Sequence, residues 1–279
     1  MKISDLLLST FVININDPLI KAINLLGEKG RYRLVIIDDE NKVQGVISGR
    51  RILEVLLKRR GTSIIEEKGL DFVLNESINL FMDEVYQLFF EDTDLETILK
   101  YMSENMIGYV ILIDYLNKFK GMIEEISFLL KFKGKKLGIN IEEIMSKKVH
   151  TIDAESTLYD ASKTMINERL RRLPVLEKEK LIGIITISDI LRELVKTKKI
   201  GIEIDNIFKY KVKDIMNKNI ISIEPWADVG DALEKILEKD VSGILVIHED
   251  KLLGMVSRID ILSKITKIKG ISKILEMIY

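Results

Sequence analysis

Two short stretches of the sequence place a hydroxyl residue three positions before an aspartate, directly after a glycine and two apolar residues. They are 183–189, which reads GIITISD, and 254–260, which reads GMVSRID. Where a strand leads into a helix, the free backbone N–H groups and the helix dipole favour a phosphate. A carboxylate one turn further along can accept hydrogen bonds from both hydroxyls of a ribose. Each stretch is therefore a candidate nucleotide site.

The same pattern also fits a purely structural role. A Ser or Thr followed three residues later by an acidic residue can form a capping box at the start of a helix. Thr186 with Asp189, and Ser257 with Asp260, would then only stabilise their helices. The two roles can coexist in a protein without ligand, and the tetrads alone favour capping over ribose binding.

Composition excludes several classes of function. The 279 residues include 43 Lys+Arg and 44 Asp+Glu, so the net charge is -1 and no global positive field attracts nucleic acid or an anionic membrane. The absence of cysteine excludes disulfides, thiolate metal sites and cysteine nucleophiles, and two histidines, His150 and His248, argue against a His-rich metal site. Without a Walker loop, a GxGxxG motif or a nucleophile with a histidine base, we expect no enzymatic activity.

Hydropathy gives no sign of a membrane segment. The N-terminal stretch MKISDLLL is interrupted by Asp5, and no apolar run approaches the roughly 18 residues of a membrane span. We therefore expect a soluble, cytoplasmic protein. With no cysteine, two glutamines and a charge carried mostly by Lys and Glu, the composition is thermophile-like.

One unit recurs four times along the chain: a short apolar strand, a polar hairpin, then a glycine with two apolar residues. The strands are Leu34–Ile37, Val110–Ile113, Leu173–Leu176 and Ile244–Ile247, and the glycine motifs that follow them are Gly45–Ser48, Gly121–Glu124, Gly183–Thr186 and Gly254–Ser257. The glycines are 76, 62 and 71 residues apart. This exceeds the period of a solenoid, so the pattern predicts small tandem domains.

Apolar residues at helical spacing lie before and after these strands. Leu158, Ala161, Met165 and Ile166 predict a helix before the third strand pair, and Val229, Ala232, Leu233 and Ile236 predict one before the fourth. A second helix follows each glycine motif, as at 52–57 and 190–194. The fold class is therefore α+β, with four strand–helix–strand–strand–helix repeats at 1–62, 69–132, 139–200 and 207–275. A unit of about 60 residues is marginal alone, so we expect the repeats to pair. The Lys-rich stretch 131–136 reads as a solvated linker between the two halves.

These features resemble the cystathionine-β-synthase (CBS) domain, whose repeats end in Gly, two apolar residues and Ser/Thr-x-x-Asp. The openings Ile144–Thr151 and Ile215–Ser222 also fit that family. Four repeats in one chain resemble the gamma subunit of AMP-activated protein kinase. The resemblance implies two paired (Bateman) modules, 1–132 and 139–279, which in the gamma subunit form a flat disk. It also favours ribose binding over capping alone.

The resemblance further implies which residues surround the ligands, each of which lies between paired repeats. One predicted site comprises Ser257, Arg258, Ile259 and Asp260 facing Met145, Ser146, His150, Leu170, Arg171 and Arg172. The other comprises Thr186, Ser188 and Asp189 facing Asn217, Ile220, Ile221, Val241, Ser242 and Gly243. Arg171, Arg172 and Arg258 are the candidate phosphate ligands.

The first two repeats depart from the family ending. The first reads Ser48-Gly49-Arg50-Arg51, which puts a cation where the ribose carboxylate belongs. The second begins with Glu124, which would repel a phosphate. We therefore expect no usual nucleotide site in the N-terminal half, and we expect Arg51 to be solvated or in a salt bridge.

The resemblance implies a non-catalytic sensor that binds AMP, ADP or ATP between repeats three and four and needs no cofactor. It would act on a regulated protein partner or as a homodimer, and neither nucleic acid nor a membrane is expected as a partner. S-adenosylmethionine is an alternative ligand, which Arg171 and Arg172 disfavour because they would repel its sulfonium. A ligand-free interaction scaffold is a second alternative.

Overall fold

The computed structural model describes residues 3–8, 10–29, 32–85, 87–198 and 203–278. Four similar β-α-β-β-α repeats follow one another along the chain. The first comprises β1 (Val12–Asn14), α1 (Leu19–Lys29), β2 (Arg33–Ile37), β3 (Val43–Ser48) and α2 (Gly49–Leu56). The second comprises β4 (Leu88–Phe90), α5 (Leu95–Glu104), β5 (Tyr109–Ile113), β6 (Phe119–Glu124) and α6 (Glu125–Leu129), and it follows α3 (Thr62–Lys68) and α4 (Leu70–Asn75).

The C-terminal half repeats the plan with longer closing helices. The third repeat comprises α7 (Ile141–Ile144), β7 (Ile152–Asp153), α8 (Leu158–Asn167), β8 (Arg172–Glu177), β9 (Lys180–Thr186) and α9 (Ile187–Lys198). The fourth comprises α10 (Ile204–Ile207), α11 (Val212–Ile215), β10 (Ser222–Ile223), α12 (Val229–Glu238), β11 (Gly243–His248), β12 (Lys251–Ser257) and α13 (Arg258–Lys269), followed by α14 (Ile271–Ile278). Short 3-10 helices cover Ile3–Leu6, Ile78–Leu80 and Leu130–Phe132.

Each repeat forms its own three-stranded sheet with one register. The first strand pairs parallel with the second, and the second pairs antiparallel with the third through a hairpin. Every hairpin carries an irregularity at the equivalent place, after Ile36, Leu112, Val175 and Val246. This places the hydroxyl residue at the end of the third strand opposite the start of the second: Thr186 pairs with Arg172, and Ser257 with Gly243.

The predicted strands and helices are confirmed. All eight predicted strand segments lie within β2, β3, β5, β6, β8, β9, β11 and β12. Of the residues that predicted α8 and α12, all are buried except Ile166, which is partly buried. The α+β class with four repeats therefore follows from the local pattern of apolar residues.

The chain divides into two compact units. Unit A comprises Thr10–Tyr86 and His150–Ile220, and unit B comprises Met1–Ser9, Gln87–Val149 and Ile221–Tyr279. Each unit has one continuous hydrophobic core. In unit A the sheets of the first and third repeats form it together with α10 and α11, and in unit B the sheets of the second and fourth repeats form it together with α7. The units are thus a different grouping from the halves 1–132 and 139–279 that the sequence predicts as modules.

The residues that follow α7 and α11 each pair, within one unit, with the third strand of the other C-terminal repeat. In unit B, Ser146 and Met255 exchange backbone hydrogen bonds of 2.9 and 3.1 Å, and in unit A, Asn217 and Ile184 do so at 2.8 and 2.9 Å. The glycines explain the close approach. A Cβ built on Gly254 would lie 2.7 Å from Met145 Sδ, which is too short for a real contact.

The Lys-rich stretch 131–136, which the sequence predicts to be a solvated linker, has exposed residues from 133 to 136 but is anchored to unit B. Phe132 is fully buried in the core. Lys135 Nζ donates to the Met277 carbonyl at 2.7 Å, and Lys136 forms an ion pair with Asp231. One aromatic residue among the lysines supplies enough apolar area to hold the segment against the core.

Candidate functional site

Thr186–Asp189 and Ser257–Asp260 lie where the third strand of a repeat passes into its closing helix, and both form reciprocal caps. Asp189 Oδ2 accepts hydrogen bonds from Thr186 N at 2.9 Å and from Thr186 Oγ1 at 2.7 Å. Asp260 Oδ2 accepts from Ser257 N at 2.9 Å and from Ser257 Oγ at 2.5 Å. In return, each hydroxyl oxygen accepts from the aspartate N–H. The capping role that the sequence left open is therefore present in both repeats.

The two aspartates differ at their second carboxylate oxygen. Asp189 Oδ1 accepts a hydrogen bond from Arg192 Nη1 at 2.9 Å, one turn further along α9. Asp260 Oδ1 accepts none from the described residues. The residue that corresponds to Arg192 is Ser263, whose hydroxyl donates to the Ser103 carbonyl at 2.6 Å. One cap thus keeps an acceptor open to a ligand, whereas the other has its acceptor in an ion pair.

In unit B, the structure brings together part of the predicted site around Asp260. Ser146 pairs with Met255, two residues before Ser257, and Met145 packs against Gly254. Lys264 Nζ donates to the carbonyl of Ile144 at 2.6 Å. The half-buried Ile259 lies between Arg258 and Asp260 at the start of α13.

Arg258, a predicted phosphate ligand, is buried and engaged within its own repeat. Its Nη2 lies 3.2 Å from Asp240 Oδ1, and its backbone N–H donates to the Ser242 carbonyl at 3.1 Å. Its Nε is buried without a hydrogen-bond partner among the described residues. Val241, Ser242, Gly243 and Ile221 also belong to unit B.

In unit A, the structure joins Asn217, the first residue of the predicted facing segment, to the strand that ends at Thr186. The contact is the backbone pairing of Asn217 with Ile184, next to a close approach of Met216 Sδ to Gly183. His150, Leu170, Arg171 and Arg172 also belong to unit A. His150 Nε2 lies 3.6 Å from Glu168 Oε2, and Arg172 is buried whereas Arg171 is exposed.

Unit A also gathers arginines that the sequence did not connect. Arg50 of the first repeat donates through Nη1 to the Arg169 carbonyl at 3.2 Å. Burial lowers the pKa of Arg50, and the positive charges of Arg171 and Arg169 lower it further, although Glu54 and Asp83 act in the opposite direction. The Arg171 guanidinium also lies 5.6 Å from the centre of the Tyr32 ring. An anion would relieve the repulsion among these three cations.

Arg50 and Arg192 were not predicted as site residues, although both have a signal in the repeat pattern. Arg50 stands at the third position of its tetrad, where Ser188 and Ile259 stand in theirs. Arg192 follows Asp189 by three residues, which is the spacing of neighbouring side chains on a helix. The predicted salt bridge of Arg51 is confirmed, because its guanidinium contacts the carboxylates of Glu54 and Asp83.

The second repeat carries a cap of inverted composition. Glu124 precedes α6, its side chain accepts from a backbone N–H of the first turn, and its own N–H donates to Ser127 Oγ at 3.4 Å. Both of its capping partners are thus present, but the acid stands where the third and fourth repeats have a hydroxyl. Within the described residues no group of His, Asp and Glu side chains is arranged to hold a metal ion. Nor is any helix of the described residues long and apolar enough to cross a membrane.

Comparison with known families agrees with this architecture. Residues 3–58, 141–196 and 212–267 match the model of the CBS domain, and these matches together cover more than half of the chain. The chain belongs to the CBS-domain family. The second repeat lies outside the matched residues, although its sheet has the same strand order and register as the other three CBS repeats.

Two relatives of similar length align with most of the chain. The chain is 23% identical over 287 residues to an uncharacterized 33.4 kDa protein in a ribosomal RNA operon of Thermofilum pendens, covering 99% of this chain and 96% of the relative. It is 26% identical over 262 residues to protein MJ1225 of Methanocaldococcus jannaschii, covering 87% of this chain and 90% of the relative.

Two solved structures show the same fold over nearly the whole chain. The crystal structure of MJ1225, proposed to be an archaeal homolog of g-AMPK, superposes with a TM-score of 0.84 at 20% identity and covers 95% of this chain and 99% of that protein. An uncharacterized conserved protein from Pyrococcus horikoshii superposes with a TM-score of 0.61 at 19% identity, covering 95% of this chain and all of that protein. The four sheets and their helices are therefore tandem CBS repeats of the Bateman type.

Proposed function

We propose that this CBS-domain protein is a non-catalytic sensor that binds AMP, ADP or ATP through its third and fourth repeats and transmits occupancy to a regulated partner. The observation that carries the proposal is the free Oδ1 of Asp260 beside a capped helix start. Because the cap uses only Oδ2, the carboxylate can hold a ribose hydroxyl without loss of the helix cap. Capping and ligand binding are then compatible functions of one residue.

The arginines of unit A support a phosphorylated ligand. Arg50, Arg169 and Arg171 form a cluster of positive charge whose members lie close enough to interact, and Glu54 and Asp83 also act on Arg50. A phosphate would neutralise this cluster and would gain charge-assisted hydrogen bonds. The same positive charge disfavours S-adenosylmethionine, whose sulfonium would be repelled. We therefore place phosphate recognition by unit A at these arginines, with Arg171 as the exposed member.

The two aspartates are unequal in this proposal. The site at Asp260 is open, whereas a ligand at Asp189 must first displace Arg192 from Oδ1. Because the Arg192 side chain is exposed, breaking this ion pair costs little of the free energy of ligand binding. We expect filling of the Asp260 site first, followed by the Asp189 site at higher concentration.

A ligand-free scaffold is the second candidate function, and the capping geometry favours it. Both hydroxyl–aspartate pairs are complete caps without any ligand, so their presence in the sequence needs no nucleotide to explain it. In the scaffold, the paired modules 1–132 and 139–279 would serve only to bind a protein partner or a second copy of the chain.

Isothermal titration calorimetry with AMP, ADP, ATP, adenosine and S-adenosylmethionine separates these functions, after a check that the purified protein carries no nucleotide. The proposal expects adenine nucleotides to bind with a stoichiometry of no more than two and more tightly than adenosine. Binding of S-adenosylmethionine alone would favour the alternative ligand. No binding to empty protein would leave the scaffold as the function. Release of phosphate from ATP and Mg²⁺ above background would contradict the non-catalytic role.

A further inference from the structure

The hairpin between β5 and β6 differs from the other three hairpins of the protein. Those three turn through charged and polar residues at 38–42, 177–180 and 248–251, whereas this hairpin presents Tyr115 and Leu116 at its tip. Tyr115 is 71% exposed and Leu116 67%, and Phe90 beside them is 43% exposed. We name these three residues the hairpin patch. Single exposed apolar residues are common, but a group of three is typical of an interaction surface.

The hairpin patch is held in a fixed shape. The Tyr115 ring stacks on Phe90 with 5.0 Å between ring centres and 23° between their planes, and its hydroxyl donates to the carboxylate of Asp92. Asp114 Oδ1 accepts hydrogen bonds from the N–H groups of Leu116 and Lys118, both at 2.9 Å. These bonds order the turn that carries the apolar residues, so the patch is preorganised for a partner.

The fold itself does not require aromatic residues at these positions. The strand register makes Asn14 and Asp39 of the first repeat the equivalents of Phe90 and Tyr115. There, Asn14 Nδ2 donates to Asp39 Oδ1 at 2.7 Å. A polar bond thus joins strand and hairpin in one repeat, and exposed rings join them in the other. Stability of the hairpin alone does not explain the apolar choice.

The charge around the hairpin patch indicates what it binds. Glu91, Asp92, Asp94 and Asp114 flank the rings in sequence, against Lys118 and Lys120. Lys120 Nζ lies 3.5 Å from Glu91 Oε2, so these two charges offset each other and Asp92, Asp94 and Asp114 remain against Lys118. Aromatic faces and carboxylates both attract cations, and a guanidinium suits a ring face and a carboxylate at once.

We propose that the hairpin patch is a docking surface for a segment of a partner protein that carries an arginine next to an aliphatic side chain. The guanidinium stacks on the exposed face of Tyr115 and pairs with Asp92, and the aliphatic side chain packs on Leu116. The second repeat, which lacks a hydroxyl–aspartate pair, then serves partner binding, independently of any nucleotide at the third and fourth repeats.

The test is an NMR titration of the full isotope-labelled chain with the blocked peptide Ac-ALRAL-NH2. Two control peptides replace the arginine with its neutral isostere citrulline or with glutamate. We expect fast-exchange shifts at the amides of Phe90, Leu116 and Asn117, weak affinity in the millimolar range, and about 3-fold weaker binding of the citrulline peptide. The glutamate peptide should bind more weakly still.

Variants of the hairpin tip complete the experiment. Tyr115→Ala should abolish the peptide shifts, and because its side chain is exposed, the thermal midpoint should stay within about 2 °C of the parent protein. Leu116→Glu is a second variant that leaves the rings in place. Glu40→Ala, at the position equivalent to Leu116 in the first repeat, should leave binding unchanged.

Three results would overturn the proposal. The first is the absence of shifts at the hairpin, and the second is equal binding of the arginine and glutamate peptides. The third is a concentration-dependent dimer in sedimentation that Tyr115→Ala dissociates, because the occupant would then be a second copy of this chain.

Discussion

Replacement of Asp260 by alanine separates the capping role from ligand binding, because the chain contains a matched cap elsewhere. At the start of α8, Asp160 Oδ2 accepts from Thr157 N at 3.0 Å and from Thr157 Oγ1 at 2.6 Å, and Asp160 N donates to Thr157 Oγ1 at 3.2 Å. This is the hydrogen-bond pattern of Ser257 and Asp260 at a helix where no ligand is proposed. Loss of either cap should lower the free energy of unfolding by about 1 kcal/mol.

Binding should distinguish the two variants where stability does not. The free Oδ1 of Asp260 can accept charge-assisted hydrogen bonds from ribose hydroxyls, with a net value of about 2 kcal/mol. Asp260→Ala should therefore weaken the tighter nucleotide site by about 2 kcal/mol, or about 30-fold. Asp160→Ala should leave binding unchanged.

The assay is titration calorimetry with ADP, combined with urea unfolding of the same preparations. Nucleotide affinity of Asp260→Ala within about twofold of the parent protein would refute the assignment of the ribose carboxylate. An equal loss of affinity in both variants would show that binding follows helix stability and not the open oxygen.

Three further predictions concern other groups of the candidate sites and their support. Arg192→Ala frees Oδ1 of Asp189 and removes an exposed ion pair, so calorimetry should show about 2-fold tighter binding at the weaker site; weaker binding would mean that the arginine contacts the ligand instead. Arg50→Gln together with Arg171→Gln should reduce the preference for ATP over adenosine by at least 10-fold and leave adenosine affinity unchanged, and a parallel loss for both ligands would contradict a phosphate role. Burial favours a raised pKa for Asp228, but hydrogen bonds from the backbone N–H groups of Leu137, Gly230 and Gly138 outweigh burial and lower that pKa. The ionised Asp228 therefore stabilises the folded protein fully above the unfolded pKa of about 3.9, and this stabilisation is lost as the pH falls through the folded pKa. Asp228→Asn should therefore lower stability in urea by about 2 kcal/mol at pH 7 and by much less at pH 2, and an equal loss at both pH values would contradict this sign.

The four repeats differ in the residues at the start of their closing helices. The third and fourth repeats keep the hydroxyl and the carboxylate at the same spacing, whereas Arg51 in the first pairs with Glu54 and Asp83. Divergence of the second repeat is also visible at its hairpin tip. The four repeats therefore share one fold and differ in a few side chains at helix starts and hairpin tips.

The sequence alone determined the repeat, its α+β class and the positions of its strands. Each of these depends on local patterns: apolar runs of four, polar hairpins, and a glycine followed by two apolar residues. The same patterns predicted the capping hydroxyls, since a cap is a bond between residues three positions apart. Local information is enough for features whose atoms are near each other along the chain.

Only the tertiary structure decided features that join distant residues. Arg50 meets Arg169 and Arg171 because the first and third repeats share one core, and no spacing in the sequence indicates that grouping. The stretch 131–136 reads as a linker because lysine dominates it, yet burial of Phe132 fixes it in unit B. The free energy that a residue gains by packing depends on the residues that the fold brings into contact with it. Neither the residue's neighbours in sequence nor its own charge identifies those contacts.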